Sequence, residues 1–548
     1  MSGLYRLANK GGTAEVDSFC PCSSDRTCDR GFFLLPQVSH NRTISFAHIV
    51  AINKKEMFTM LLEKIKKYVA DYDVIPVKKE IYADLVTPIA LLQKIAAKKK
   101  RFYLLESVEG GEKWGRYSFL GYDPVMRVSC FRDKVVIEEK GEKKTITTKD
   151  SFQVIRDILK QYRSPKMEDM PPFTGGFVGY FAYAMIEHAE PVLNIKRGEF
   201  NDYDLMLFDK VIAYDQLKQK IIVVGNVKTK GDLQQNLQKA EKEIDDIITM
   251  IQEETKLPEF PSYDKVKFEC NVSEKEYEDI VEKTKEYIRD GDIFQAVISR
   301  RFVSPYEGSL IQPYRVLRTT NSSPYMVYMN LDDVEIMSTS PETLVRLQDG
   351  RLTTFPVAGS RPRGKDEAED EALVKDLLSD EKELSEHNML VDLGRNDLGR
   401  IAEFGTVDVT KYMMIHKYSK IMHICSQVEA DIQKDADALD AVKSVLPAGT
   451  LSGAPKIRAC EIIDELESEP RGIYGGALGY LDFSGNLDTC IAIRMAVKKD
   501  GKVYVQAGGG IVADSRPRLE YEESGNKARA VIDAIQNAGK DMTGGLMI

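Results

Sequence analysis

Two pairs of glutamates share the spacing Glu-x-x-Glu: Glu383 with Glu386, and Glu520 with Glu523. The first pair lies in LLSDEKELSEHNMLVDLGRND, a run of helix formers. The second lies in RLEYEESGNKARAVIDAIQNA, where a helical pattern follows. Residues three apart on an α-helix share a face and stand roughly 4.5 Å apart along the axis. Carboxylates doubled on one face repel each other unless water, a proton or a cation relieves them. Oxygen-only ligands suit a hard cation such as Mg²⁺, which keeps some of its waters and meets an anionic substrate. Two solvated helix faces would show the same spacing, so the reading turns on what surrounds the pairs.

The surrounding elements are legible in outline. TPIALLQKIAAKK reads as an amphipathic helix that starts at Thr87-Pro88, and DSFQVIRDILKQY as one capped by Asp150 or Ser151. MLLEKIKKYVADY, from Met57, is expected to be helical. RFYLLES, YSFLGYDPVMRVSCF and KVVIEEKGEKKTITT read as strands with Gly turns. DLMLFDKVIAYDQLKQKIIVVGNV alternates like a hairpin, and a long polar helix over roughly 231–255 leads to a Pro-containing junction at about 256–266. Beyond it come a helix, a Gly turn and a strand (273–305), then antiparallel strands through 359 and two helices around 366–400. A strand at SKIMHICSQVEADI follows, then a Gly/Ser loop that opens a helix near 456 and a run of strands over 475–515. Strands in series, broken by helices that do not alternate with them one for one, indicate an α+β fold.

Composition narrows the function. The 548 residues carry a formal net charge of −10, with no basic stripe of the kind that tracks nucleic acid. No apolar run reaches the ~18 residues that span a bilayer. Cys130, Cys270, Cys425, Cys460 and Cys490 are scattered without paired spacing, as expected for reduced thiols in a cytoplasmic protein. Residues 1–56, with Cys20, Cys22 and Cys28 and no sustained periodicity, read as a disordered extension or as sequence upstream of a natural start near Met57 or Met60.

Five stretches carry a resemblance. They are PVAGSRPRG (356–364), KELSEHNMLVDLGRNDLGR (382–400), LPAGTLSGAPKIRA (446–459), YGGALGY (474–480) and AGGGIVADSRPRLEYEESGNKARA (507–530). In this order they closely resemble the chorismate-utilising enzymes, and within that family the anthranilate synthase component I branch; the likeness covers roughly 75–535. It implies two large antiparallel β-sheets packed together with flanking helices. It also implies a division into an N-terminal part (57–255) with a regulatory tryptophan site, a chorismate-binding catalytic part (267–536) and a tail (537–548).

The resemblance assigns roles residue by residue. Mg²⁺ would bridge the ring carboxylate of chorismate and the glutamate pairs, with Glu386 and Glu523 as direct ligands and Glu383 and Glu520 acting through water. Arg494 and Tyr474 match positions that hold the enolpyruvyl carboxylate. Gly359, Ser360, Thr450, Gly508, Gly510 and Lys527 line the same pocket. Glu342 matches the acid that protonates the departing ring hydroxyl. His423, which by itself reads as a core histidine in an apolar strand, gains a role in the later loss of pyruvate. Ser360 stands where the family usually has Thr.

Two alanines choose among chemistries. Ala296 stands where isochorismate and salicylate synthases carry a lysine that activates water, and Ala358 where aminodeoxychorismate synthase carries a nucleophilic lysine. Ammonia, already a nucleophile when neutral, needs neither. The expected reaction is amination of chorismate followed by pyruvate elimination to anthranilate, the first committed step of tryptophan biosynthesis. The alternatives are a 2-amino-2-deoxyisochorismate synthase and a catalytically silent regulatory subunit. No cysteine fits a glutamine amidotransferase elbow, so a separate glutaminase subunit is expected, in a heterotetramer of two large and two small chains. LLES (104–107) and NSSPYM (321–326) resemble the segments of a feedback site: Glu106 for the α-ammonium of tryptophan, Ser107 for the indole or backbone, and Pro324, Tyr325 and Met326 as walls. Ser322 stands where many relatives have Pro.

Overall fold

The computed structural model describes residues 46–107, 115–254, 266–418 and 421–538. The expected extension before residue 46, with its three cysteines, lies outside them. So do the Gly-Gly turn at 110–111, most of the 256–266 junction and nearly all of the 537–548 tail. The chain divides into a unit over 1–59, whose described part is the start of the helix Phe46–Lys66, and a compact unit over 60–548. Among its described residues the latter holds two antiparallel sheets of twelve strands each.

Alternation along the strands builds the core between the sheets. In Gly176–Phe181 and Tyr203–Phe208 every residue is buried, because both faces are covered. Val178, Tyr180, Met206 and Phe208 pack with Tyr103, Val327, Ile336 and Met495 of the first sheet. Their neighbours Phe177, Phe181, Leu205 and Leu207 pack on the opposite face with the helices Ser151–Leu159 and Ala438–Val445. Each such fully buried large side chain contributes about 1.5–3 kcal/mol. The helices Glu274–Arg289 and Lys456–Leu466 pack against the strands Gln295–Pro305 and Lys502–Ile511 at one end of the first sheet. The caps match the sequence: Thr87 accepts from Ala90 N–H, and Asp150 rather than Ser151 caps its helix through Gln153 N–H.

Both sheets draw strands from both sides of residues 255–265. Arg101–Glu106 pairs with Tyr325–Leu331 in the first sheet, and Gly176–Phe181 pairs with Ala477–Asp482 in the second. The segment read as a single hairpin is three strands. Tyr203–Phe208 belongs to the second sheet, and the chain crosses at Asp209 before the hairpin Lys210–Asp215 and Lys220–Lys228 enters the first. Alternation continues across such a crossing, so periodicity alone does not mark it. The strand Asp408–Lys417 and the helix Ala438–Val445 escaped the sequence reading, the first because most of its residues are exposed or half-exposed on a sheet edge.

Two other crossings matter more. The chain leaves the first sheet at Ser340 and enters the second at Thr343; it leaves the second at Ile491 and returns at Met495. The two crossings are bonded to each other, Ile491 N–H donating to Glu342 C=O at 3.0 Å and Thr339 N–H to Arg494 C=O at 3.1 Å. Glu342 and Arg494 therefore sit on two adjoining crossings where neither sheet is regular.

Candidate active site

Glu342 is buried beside a cavity of about 20 Å³ that it shares with Thr450, Gly449 and Leu390. Burial disfavours its charged form and pushes its pKa up to about 8, tempered by the Thr450 hydroxyl and the backbone at Val357. The Thr450 hydroxyl is itself buried and near Glu342, but among the described residues it meets no partner with full hydrogen-bond geometry. A carboxylic acid that keeps its proton at neutral pH is equipped to act as a general acid.

His423 stands on the strand Ile421–Asp431, opposite a bulge in Val357–Pro362. The bulge centres on Gly359, whose φ of +81° suits glycine. It also aims the Gly359 carbonyl at His423 Nδ1, 3.3 Å away. A carbonyl only accepts, so Nδ1 carries the proton and Nε2 is left as the basic nitrogen. Burial lowers the pKa of the ring and Arg494 adds to this, against the opposing hydrogen bond to Gly359, so the balance favours the neutral ring. A Cβ on Gly359 would stand 3.2 Å from Glu383 Oε2, so the same glycine lets the glutamate helix approach.

The glutamate pairs lie where the spacing put them, on the helices Glu381–Gly399 and Pro517–Asn537. Burial raises the pKa of Glu383, Glu386 and Glu520; Asp380 adds to this at Glu383, Glu383 and Glu523 at Glu386, and Glu523 at Glu520. Glu523 goes the other way: burial opposes it, but Lys527 Nζ at 2.7 Å brings it down. Lys382, which the sequence reading passed over, stabilises charge on Glu386, Glu520 and Glu523 alike. Its signal was its place inside KELSE. Among the described residues no three such groups close around an ion as they stand. The all-oxygen set, in which Glu383 and Glu523 still raise the pKa of Glu386 despite the two lysines, fits a hard cation that retains waters.

Opposite the pairs lies the strand Lys502–Ile511. Gly508 and Gly510 face the strand Gln295–Pro305 so closely that a Cβ would meet Ile298 O or Gln295 Nε2 at 2.3 Å. Lys527 also reaches Gly508 O at 3.2 Å. Arg494 donates to the Lys527 carbonyl at 3.1 Å, and no carboxylate of the described residues is within ion-pair distance of it. Burial without such a partner disfavours its charge, which an anionic ligand would restore. Tyr474 is buried, and that pushes its phenol up to about 12, so it remains a donor. Ser360 is exposed, and its backbone favours the charged form of Glu383, offsetting part of the effect of burial.

The segments read as a feedback site border a separate cavity of about 660 Å³, to which Glu106, Ser107, Pro324 and Tyr325 contribute. Met326 is buried outside its lining. The Glu106 carboxylate accepts from Tyr314 Oη at 2.8 Å and is bound by the Arg318 fork at 2.9 and 3.1 Å. Its charge is already partly answered within the protein.

The fold and the pockets define a class. A family model described as chorismate binding enzyme matches residues 101–533, and the chain belongs to that family. It is 46% identical to anthranilate synthase component 1 of Acetivibrio thermocellus over 496 residues, covering 88% of this chain and 100% of the relative. It is 44% identical to the protein of that name from Aquifex aeolicus, covering 87% and 98%. Among solved structures, anthranilate synthase component I from Streptococcus pneumoniae TIGR4 superposes with a TM-score of 0.69 at 34% identity, over 82% of this chain and 98% of that one. MenF, the menaquinone-specific isochorismate synthase of Escherichia coli, shares the fold at 18% identity and a TM-score of 0.63, over 87% and 99%.

Proposed function

We propose that this protein is the large subunit of an anthranilate synthase. Chorismate is aminated by ammonia with loss of the ring hydroxyl as water, and pyruvate is then eliminated to leave anthranilate. The observation that carries the reading is the pairing of a protonated acid with a neutral base. Glu342 holds its proton up to about pH 8, and His423 presents a free Nε2.

Arg494 and Tyr474 bind the enolpyruvyl carboxylate, and Gly508 and Gly510 let the backbone approach the anion. Glu342 gives its proton to the departing hydroxyl. His423 takes the ring proton from the carbon that bears the new nitrogen as the enolpyruvyl group leaves. Glu386 and Glu523 would hold Mg²⁺ directly, with Glu383 and Glu520 acting through water. When bound, Mg²⁺ supplies the positive charge that lets a carboxylate substrate approach four carboxylates, whose like charges at ~4 Å would otherwise cost several kcal/mol at intermediate dielectric.

Ammonia comes from a separate glutaminase subunit, in a cytoplasmic assembly of two large and two small chains, and tryptophan inhibits from the 660 Å³ cavity. The test is the purified chain with chorismate, Mg²⁺ and ammonium, read by product fluorescence and mass. Anthranilate is expected with ammonium and not with glutamine. An aminated product that retains its enolpyruvyl group would instead identify a 2-amino-2-deoxyisochorismate synthase, and no product would identify a silent subunit. In His423→Met amination proceeds and the aminated intermediate accumulates; unreacted chorismate alone would move His423 to an earlier step or to packing.

A further inference from the structure

Arg471, in SEPRGIYGG, was not singled out in the sequence, yet it joins the pieces of the carboxylate-binding wall. It is 4% exposed. Its Nε and Nη2 grip Glu467 at 2.9 and 2.6 Å, and Glu467 in turn accepts from the backbone and hydroxyl of Ser299. Nη1 donates to Leu451 C=O and Nη2 to Val297 C=O, each at 2.5 Å. Leu451 follows Thr450, and Val297 is the cross-strand partner of Gly510. The guanidinium carbon lies 5.8 Å from the Tyr474 ring centre and 4.6 Å from that of Tyr183, and Tyr474 N–H donates to Arg471 C=O at 3.2 Å. One side chain thus spans the loop of Thr450, the strand facing Gly510 and the ring of Tyr474.

We propose that Arg471 is a positioning residue for substrate binding, which fixes Tyr474 and strengthens it as a donor to the substrate carboxylate without touching the substrate itself. The proposal rests on the reading that Tyr474 belongs to the carboxylate-binding wall. Only a guanidinium meets the demand: it offers five N–H groups in a rigid plane, whereas an ammonium cannot reach a carboxylate and two carbonyls in these directions and still lie against two rings. Its positive charge near the ring also favours loss of the phenol proton, offsetting part of the effect of burial, and a more acidic hydroxyl is a stronger donor.

The test is a double-mutant cycle read in the KM for chorismate. Arg471→Lys should raise KM by about tenfold with a smaller change in kcat. Tyr474→Phe should do the same, and the two together should add less than about twofold to either alone. Removing only the cation leaves Glu467 buried and unpaired, so the pair Glu467→Gln with Arg471→Gln serves as a second variant, and it should raise KM likewise. A parental KM in either folded Arg471 variant, with only a lower melting temperature, would make the residue purely structural and overturn the proposal. So would full multiplication of the two single effects. A parental KM in Tyr474→Phe alone would remove Tyr474 from the wall, and the reading beneath the proposal would fall with it.

Discussion

The carboxylates of this pocket divide into two regions that set the charge of one residue type by different means. Glu342 lies at a sheet crossing beside a small cavity whose other carboxylate, Asp397, is paired with Lys456, and desolvation makes Glu342 an acid. The four helix glutamates stand among one another and beside Lys382 and Lys527, so their charges are set by neighbours as much as by burial. Within that second region Glu523 stands apart: Lys527 lies 2.7 Å from it, whereas the shifts at Glu383, Glu386 and Glu520 are upward despite Lys382 or Lys527 nearby. An isolated buried carboxyl holds a proton, and a crowded set waits for a cation.

The largest expected effect is on the isolated acid. Glu342→Gln should lower kcat by about 10²- to 10⁴-fold. In the parent, the rate should fall as pH rises through about 8, because the proton that Glu342 donates is lost there; in the variant that limb should vanish. The stability side has the same sign. The fold favours the protonated form, so the stabilisation is complete below the ordinary carboxyl value of 4.5 and gone once pH passes about 8. A parental pH profile in Glu342→Gln would move the acid elsewhere.

The crowded region comes next. Glu386→Gln and Glu523→Gln should each lower Mg²⁺-dependent turnover by about a hundredfold or more while leaving the melting temperature nearly unchanged. Full activity of both at limiting Mg²⁺ would sink the ligand assignment. A smaller effect is expected at the internal cation: Lys527→Met should raise KM for chorismate by about two- to fivefold, since its pair with Glu523 is half-exposed. That difference should shrink as salt rises, and a salt-independent change would point to packing instead of charge.

The smallest change in basal rate is expected farthest from both regions. Ser107→Phe should relieve inhibition by tryptophan and keep the uninhibited rate within about twofold, as a substitution outside the chemistry does. Absence of binding heat at millimolar tryptophan in the parent would show that the large cavity serves another ligand. The ion pair of Glu106 with Arg318 sharpens this test, because an incoming ammonium would have to share a carboxylate that is already engaged.

The sequence by itself determined the glutamate pairs and their helices, the family, and the residue types of the pocket. Those follow from spacing and motif, which are local. It also placed the helix starts at Thr87 and at Asp150 or Ser151, since a cap is read within one turn of its helix, and the structure chose Asp150 for the second. Only the tertiary structure decided which carboxyl holds a proton. The shift of Glu342 comes from burial at a crossing between sheets, and nothing in STSPETL marks a crossing. The tautomer of His423 was likewise settled by a bulge at Gly359, 64 positions away in the chain. Arg471 shows the limit most plainly: in sequence it is one more arginine near a turn. It gains its role when Glu467, Leu451, Val297 and Tyr474 close around it, because a buried guanidinium must satisfy its N–H groups and the chain segments that do so come together only in the folded protein.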